Sequence, residues 1–212
     1  ALAAAETLAT LTARLGALVG ESRAGQAILL DSHLPDAFEM RRFAPDERAS
    51  LAEFDWGYNP KIPKRACFEL ATLKFIAQGD CGIFIGPPGT GKSHIVKAIA
   101  YAAVRTGLRV AYLEADDFLT RLMGLAAADK RTRVQPLIDA DLVVFDDLFL
   151  ARQLPSESAD TLQSILHKRY KLRRSSLITS NRIIDDWHKF LGDAALATAI
   201  LDRLLHLSVL LE

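Results

Sequence analysis

Eight consecutive residues, Gly86, Pro87, Pro88, Gly89, Thr90, Gly91, Lys92 and Ser93, fit the pattern G-x-x-x-x-G-K-[ST]. Glycines let a backbone curl until its N–H groups point inward at phosphate oxygens, and the amino end of a following helix adds partial positive charge at the same place. Lys92 can then reach β- and γ-phosphates, while Ser93 offers a hydroxyl to Mg2+. A Gly/Pro-rich turn would match the four fixed positions by chance about 4 × 10⁻⁵ of the time, or under roughly 1% for a chain of this size. The apolar run at 82–85 and the helical spacing of Ile95, Val96, Ile99 and Ala103 supply the strand–loop–helix context that this chemistry needs. The residues predict a nucleoside triphosphate site.

Two carboxylates, Asp146 and Asp147, follow the apolar run at 142–145. Asp146 is suited to holding Mg2+ through water, and Asp147 to polarising the water that attacks the γ-phosphate; a pair of solvated loop acids is the plain alternative. A further run at 177–179 delivers Ser180 and Asn181 to the same edge, where Asn181 can hydrogen-bond that water or the γ-phosphate. Ser-Asn after a strand is commonly just a turn. Basic residues cluster twice, as Lys130, Arg131 and Arg133, and as Lys168, Arg169, Lys171, Arg173 and Arg174 around Tyr170. Such clusters suit salt-dependent, sequence-tolerant contacts with DNA phosphates, or else form a solvated or intersubunit ion-paired face.

The elements that must position these residues are legible in outline. Short apolar runs at 82–85, 110–113, 142–145, 177–179 and 207–211 alternate with helical patterns, which predicts an α/β fold with a parallel sheet of five strands covered on both faces. Ligands of such sheets sit beyond the carboxyl ends of the strands, where the candidate residues fall. A helix is expected across 65–77. Leu8, Leu11, Leu15 and Leu18 recur at helical spacing and predict a small N-terminal helical extension. Pro35, Pro45, Gly57, Pro60 and Pro63, interleaved with Phe43, Phe54, Trp56 and Tyr58, read as a connecting arm, giving an expected division into 1–63 and 64–212.

Composition sets the limits. With 212 residues, half of them hydrophobic, the chain can bury a core. The 26 basic residues balance 26 acidic ones, so no global field draws it to nucleic acid or anionic membrane, and any DNA binding must be local. Cys67 and Cys81 have no metal-type spacing and are too few for a disulfide scaffold, which favours the cytoplasm. No apolar run approaches membrane-helix length, and the apolar start, Ala1 to Ala5, lacks the basic leader of a signal peptide, so a trimmed start is expected.

Taken together, the chain resembles an AAA+ ATPase and, within that superfamily, the IstB group of ATP-binding proteins that assist insertion-sequence transposases, relatives of DnaC-type helicase loaders. The likeness is carried by Phe54-Asp55-Trp56, the loop from Gly86 to His94, the stretch from Asp141 to Leu148, Lys168-Arg169-Tyr170, Thr179-Ser180-Asn181-Arg182, and the segment from Ala199 to His206. It implies a P-loop α/β domain that binds ATP and Mg2+, forms a homo-oligomer in the ATP state, grips double-stranded DNA and delivers it to a transposase. Residue by residue, Gly86 to Ser93 with His94 correspond to Walker A, Asp146 and Asp147 to Walker B, and Asn181 to sensor I. Arg203 resembles the arginine that relatives insert into a neighbour's ATP site, although its helix face, shared with Leu196, Ile200 and Leu207, also suits a snorkelling arginine or a pair with Asp202. Asp147 stands where many AAA+ proteins carry Glu, which implies slow turnover. Relatives continue past the fifth run into a lid, so either the sequence is cut short here or the lid is short or absent. Two other readings share the site: a helicase loader, and a nucleotide-gated DNA scaffold with little hydrolysis.

Overall fold

The structure is a computed structural model that describes residues 26–29, 38–41, 51–52, 54–57, 59–150, 153–205 and 208–211. The helix expected around Leu8 to Leu18 lies outside these residues. By its contacts the chain divides into two compact units, Ala1–Glu47 and Arg48–Glu212. The first contains strands β1 (Gln26–Leu29) and β2 (Phe38–Arg41), paired antiparallel with Gln26 opposite Arg41 and Leu29 opposite Phe38. Part of the segment read as an arm is therefore a strand.

The second unit runs α1 (Lys64–Ala71), α2 (Lys74–Gln78), β3 (Cys81–Ile85), α3 (Lys92–Arg105), β4 (Val110–Glu114), α4 (Ala115–Arg121), α5 (Ala127–Asp139), β5 (Leu142–Leu148), α6 (Ser156–Lys171), β6 (Ser175–Ser180), a 3-10 turn (Ile184–Asp186), α7 (Trp187–Leu191), α8 (Ala194–Leu205) and β7 (Ser208–Leu211). The single helix expected over 65–77 is two helices. Leu73 takes a left-handed φ of 63° between them, while the Thr72 hydroxyl donates back to Glu69 O at 2.7 Å. Such a residue ends a helix as glycine usually does, and no glycine announces it here.

The strands form a parallel sheet in the order β4-β5-β6-β3-β7. Alternation explains why they read as unbroken apolar runs. Ile83, Ile85, Val143, Phe145 and Ile178 point into one core, with Leu119, Leu162, Ile165 and Ile200 from the covering helices. Phe84, Leu142, Val144 and Leu177 point into the other, with Cys67, Leu70, Ile95, Val96 and Ile99. Successive side chains of a strand face opposite ways, so only a sheet covered on both sides buries them all. Each fully buried aliphatic side chain contributes about 1.5–3 kcal/mol.

Strand order places the candidate residues differently from chain order. β6 lies between β3, which feeds the phosphate loop, and β5, which carries the two acids. The residues after β6 are thus wedged between the two halves of the site.

Candidate functional site

The loop from Gly86 to Gly91 joins β3 to the amino end of α3. Gly89 and Gly91 adopt φ of 78° and 94°, left-handed values that side chains resist. Gly91 has a second constraint: a Cβ there would lie 2.7 Å from Phe54 Cζ. Phe54 also packs edge-on to Trp56 and against the ring of His94, with centroids 4.7 and 5.2 Å apart. His94 therefore meets this aromatic cover and does not line the cleft.

A cleft of about 530 Å³ opens beside the loop, lined by Gly86, Pro87, Pro88, Gly89, Thr90 and Lys92 on one side and by Ile62, Pro63, Cys67, Phe84 and Ile95 on the other. Its dimensions and its mixture of backbone amides with apolar wall suit a nucleotide, with phosphates at the loop and the base against the aliphatic side. The Lys92 ammonium donates to the carbonyl oxygens of Gly86 and Pro87 at 2.8 and 2.9 Å. Burial lowers its pKa, and the charges of Asp147 and Asp146 push it back up. Lysine and both acids thus share one electrostatic neighbourhood.

Asp146 is almost wholly buried and receives hydroxyls from three elements. Ser93 Oγ, at the start of α3, donates to Asp146 Oδ1 at 3.0 Å, Thr179 of β6 donates to the same oxygen, and the Tyr112 phenol of β4 donates to Oδ2. Burial and the Asp146 carboxylate together raise the Tyr112 pKa, keeping the phenol a donor. Asp147 has φ of 54°, and its amide donates to Thr179 Oγ1 at 2.8 Å. Burial first, and then the Asp146 charge, raise its pKa above that of an ordinary carboxylate. A carboxylate so shifted is a better proton acceptor. Beyond it, the Asp116 carboxylate accepts the amides of Phe149 and Leu150, both at 2.9 Å, and fixes the loop after the acids.

Asn181 Oδ1 is buried without a hydrogen-bond partner among the described residues. A buried acceptor left open beside a phosphate loop fits a role in holding water or ligand. Hard oxygen donors from Ser93 and Asp146, completed by phosphate and water, are what Mg2+ takes; among the described residues no group of three His, Cys, Asp or Glu makes a cage of its own.

Other expected contacts fare differently. Arg169 is corrected outright: it is 1% exposed and cannot touch DNA. Its guanidinium donates to the carbonyls of Leu137, Ala140 and Ser175 and to Ser176 Oγ, closing the carboxyl end of α5, whose last carbonyls have no partner within the helix. Burial pushes its pKa down to about 10, which leaves it charged at neutral pH. Arg174 pairs with Asp141, which Arg109 also holds. Lys130 pairs with Glu157 in a groove that Arg131 and Lys168 share with Asp160, so positive charge there is partly balanced. Arg133 is half-buried, whereas Lys168, Lys171 and Arg173 are exposed. Arg203 donates to His167 Nδ1 at 2.9 Å and to Ala199 O, a partnership that none of the three readings of it named.

The model for the family described as IstB-like ATP binding protein matches residues 3–212. The chain belongs to this family. An ATP-binding protein of insertion sequence IS21 from Pseudomonas aeruginosa, so named for that expected role, is 36% identical over 164 residues, which cover 77% of this chain and 61% of the relative. A similarly named protein of insertion sequence IS5376 from Geobacillus stearothermophilus is 30% identical, covering 77% of this chain and 64% of the relative. This IstB-like chain thus spans less than two thirds of the length of either relative. Among solved structures, the DnaC helicase loader superposes with a TM-score of 0.58 at 21% identity, covering 69% of this chain and 85% of that one, a likeness of fold. No helix among the described residues is long and apolar enough to cross a membrane.

Sequence reasoning named the loop, both acids and Asn181, which the structure brings to one edge of the sheet. It missed Tyr112, Asp116 and the cover made by Phe54, and Thr179 entered only as part of a family motif. Alternation along β4 gives a weak signal for Tyr112; nothing local marks Asp116.

Proposed function

We propose that this IstB-like chain is an ATPase that binds double-stranded DNA in its ATP state, as a homo-oligomer, and delivers it to an insertion-sequence transposase. The observation that carries the reading is the junction of Ser93 with Asp146 beside Lys92, with Asn181 Oδ1 open nearby. On this reading the loop amides and Lys92 bind the triphosphate. Mg2+, when bound, neutralises charge on the β- and γ-oxygens. Ser93 and Asp146 hold the metal side, Asn181 orients the attacking water, and Asp147 accepts its proton. Arg203 leaves His167 to enter a neighbouring subunit's site, where a planar cation stabilises the leaving phosphate. Lys168, Lys171 and Arg173 contact DNA phosphates. The insertion-sequence context of the relatives supports a transposase as partner.

The test compares DNA retention, particle size and phosphate release with and without Mg-ATP. Larger particles, tighter DNA binding and phosphate release are expected together. Unchanged DNA binding and size with Mg-ATP overturn the reading. Asp147 in place of the usual Glu favours a second reading, a nucleotide-gated scaffold; tight ATP binding with phosphate release at background decides for it. Capture of a replicative helicase instead of a transposase decides for a loader.

A further inference from the structure

We infer that the Thr179 hydroxyl is a positioning group that ties the carboxylate of Asp146 to the backbone of Asp147, and so sets both acids for the metal nucleotide together. The inference rests on the reading of this site as one for magnesium nucleotide. Phe145 pairs with Ile178, and the next pair is Leu148 with Ser180. Two residues of β5, Asp146 and Asp147, therefore face the single residue Thr179 of β6. This is a β-bulge, and it leaves the extra residue without a ladder partner. The left-handed φ of Asp147 belongs to the same distortion.

Thr179 supplies what the ladder cannot. Its side chain is fully buried, and its one oxygen does two things: it accepts the Asp147 amide at 2.8 Å and donates its proton to Asp146 Oδ1. A hydroxyl has one proton to give and lone pairs to accept with, so the arrangement leaves neither acid free to drift. Ser93 donates to the same oxygen of Asp146, so Thr179 and Ser93 together fix Oδ1 of that carboxylate, while Tyr112 holds Oδ2. Ser180 extends the pattern by donating to Leu148 O at 2.7 Å, so side chains of β6 hold the acid-bearing turn of β5 in place of regular ladder bonds. Valine matches threonine in shape and lacks the oxygen; serine keeps the oxygen and loses only the methyl.

The test titrates a fluorescent ATP analogue into wild type, Thr179→Val and Thr179→Ser, in EDTA and across a range of Mg2+ concentrations. Amide hydrogen exchange over 142–150 is followed in the same samples. The Val variant is expected to need about ten-fold more Mg2+ for half-maximal tightening, a typical consequence of losing a group that orients a metal ligand. The Ser variant should stay within about two-fold of wild type, because the hydroxyl alone performs the role. The Asp147 amide should be protected in wild type and Ser, and exposed in Val. A Val variant indistinguishable from wild type, a Ser variant as impaired as Val, or equal loss of affinity in EDTA overturns the inference alone. Wild type that binds no nucleotide with Mg2+ overturns the proposed function, and the inference with it. If Val does not fold, wild type and Ser decide: an unprotected Asp147 amide, or loss of Mg2+ dependence in Ser, overturns the inference.

Discussion

The two ends of β6 carry charge in opposite ways. At its amino end, Arg169 and Arg174 meet partners within the chain: backbone carbonyls around one, Asp141 beside the other. At its carboxyl end, Asp146 and Asp147 are held by hydroxyls, Lys92 rests on its own loop's carbonyls, and Asn181 Oδ1 has no partner among the described residues. Structural charge is closed off, while the charge at the site keeps capacity for a ligand. A charge run in the sequence does not reveal which kind it is. The partners of each side chain do.

The comparison breaks most visibly at Arg169. Arg169→Ala leaves several buried carbonyls without a donor and is expected to lower stability by about 3–4 kcal/mol, read by denaturant unfolding. Arg169→Lys should fall between, since an ammonium cannot present the same fork. The site end should behave inversely: Lys92→Ala is expected to weaken ATP binding by about a hundred-fold, measured by calorimetry, with thermal stability little changed. Asp147→Asn sharpens the contrast further. It should slow turnover by about a hundred-fold or more, yet raise the unfolding midpoint at neutral pH. The sign follows from the raised pKa: the folded state favours the neutral acid, so the contribution of Asp147 to stability is greatest in acid and falls as pH rises through the folded pKa. The stabilising effect of Asn should therefore vanish towards acid.

Asp141 shows the opposite sign at the structural end. Arg109 holds its pKa down at about 2, so its contribution is present above the ordinary carboxylate range and is lost as pH falls from about 4 towards 2. Asp141→Asn is expected to cost about 1 kcal/mol, because the Arg109 partner is exposed to solvent. The smallest effect belongs to the exposed basic residues. Replacing Lys171 and Arg173 together should reduce the salt dependence of DNA binding by a log–log slope of about 2, without preference among sequences. Arg174→Ala, already paired to Asp141, should change that slope less.

Much of the site was legible because its spacing is local. The phosphate loop occupies eight neighbouring residues, and both acids follow one apolar run. The order of the strands is not local, and nothing along the chain shows that β6 intervenes between the loop-bearing β3 and the acid-bearing β5. The bulge at Asp146 and Asp147 is likewise a property of pairing with β6, invisible along β5 alone. Arg169 was legible in principle. Leu162, Ile165, Leu166 and Arg169 fall on one buried stripe of α6, the same spacing argument that placed Arg203 on a helix face. Counting charges hid it.

The strand that launches the phosphate loop depends on segments that are made late. Both neighbours of β3, namely β6 and β7, come from the last quarter of the sequence. A ribosome that has just joined Lys92 must add roughly eighty more residues before β3 can find a partner on either side. Until then the glycine loop has no frame to hold its curl, so an unfinished polypeptide has no means to capture nucleotide early.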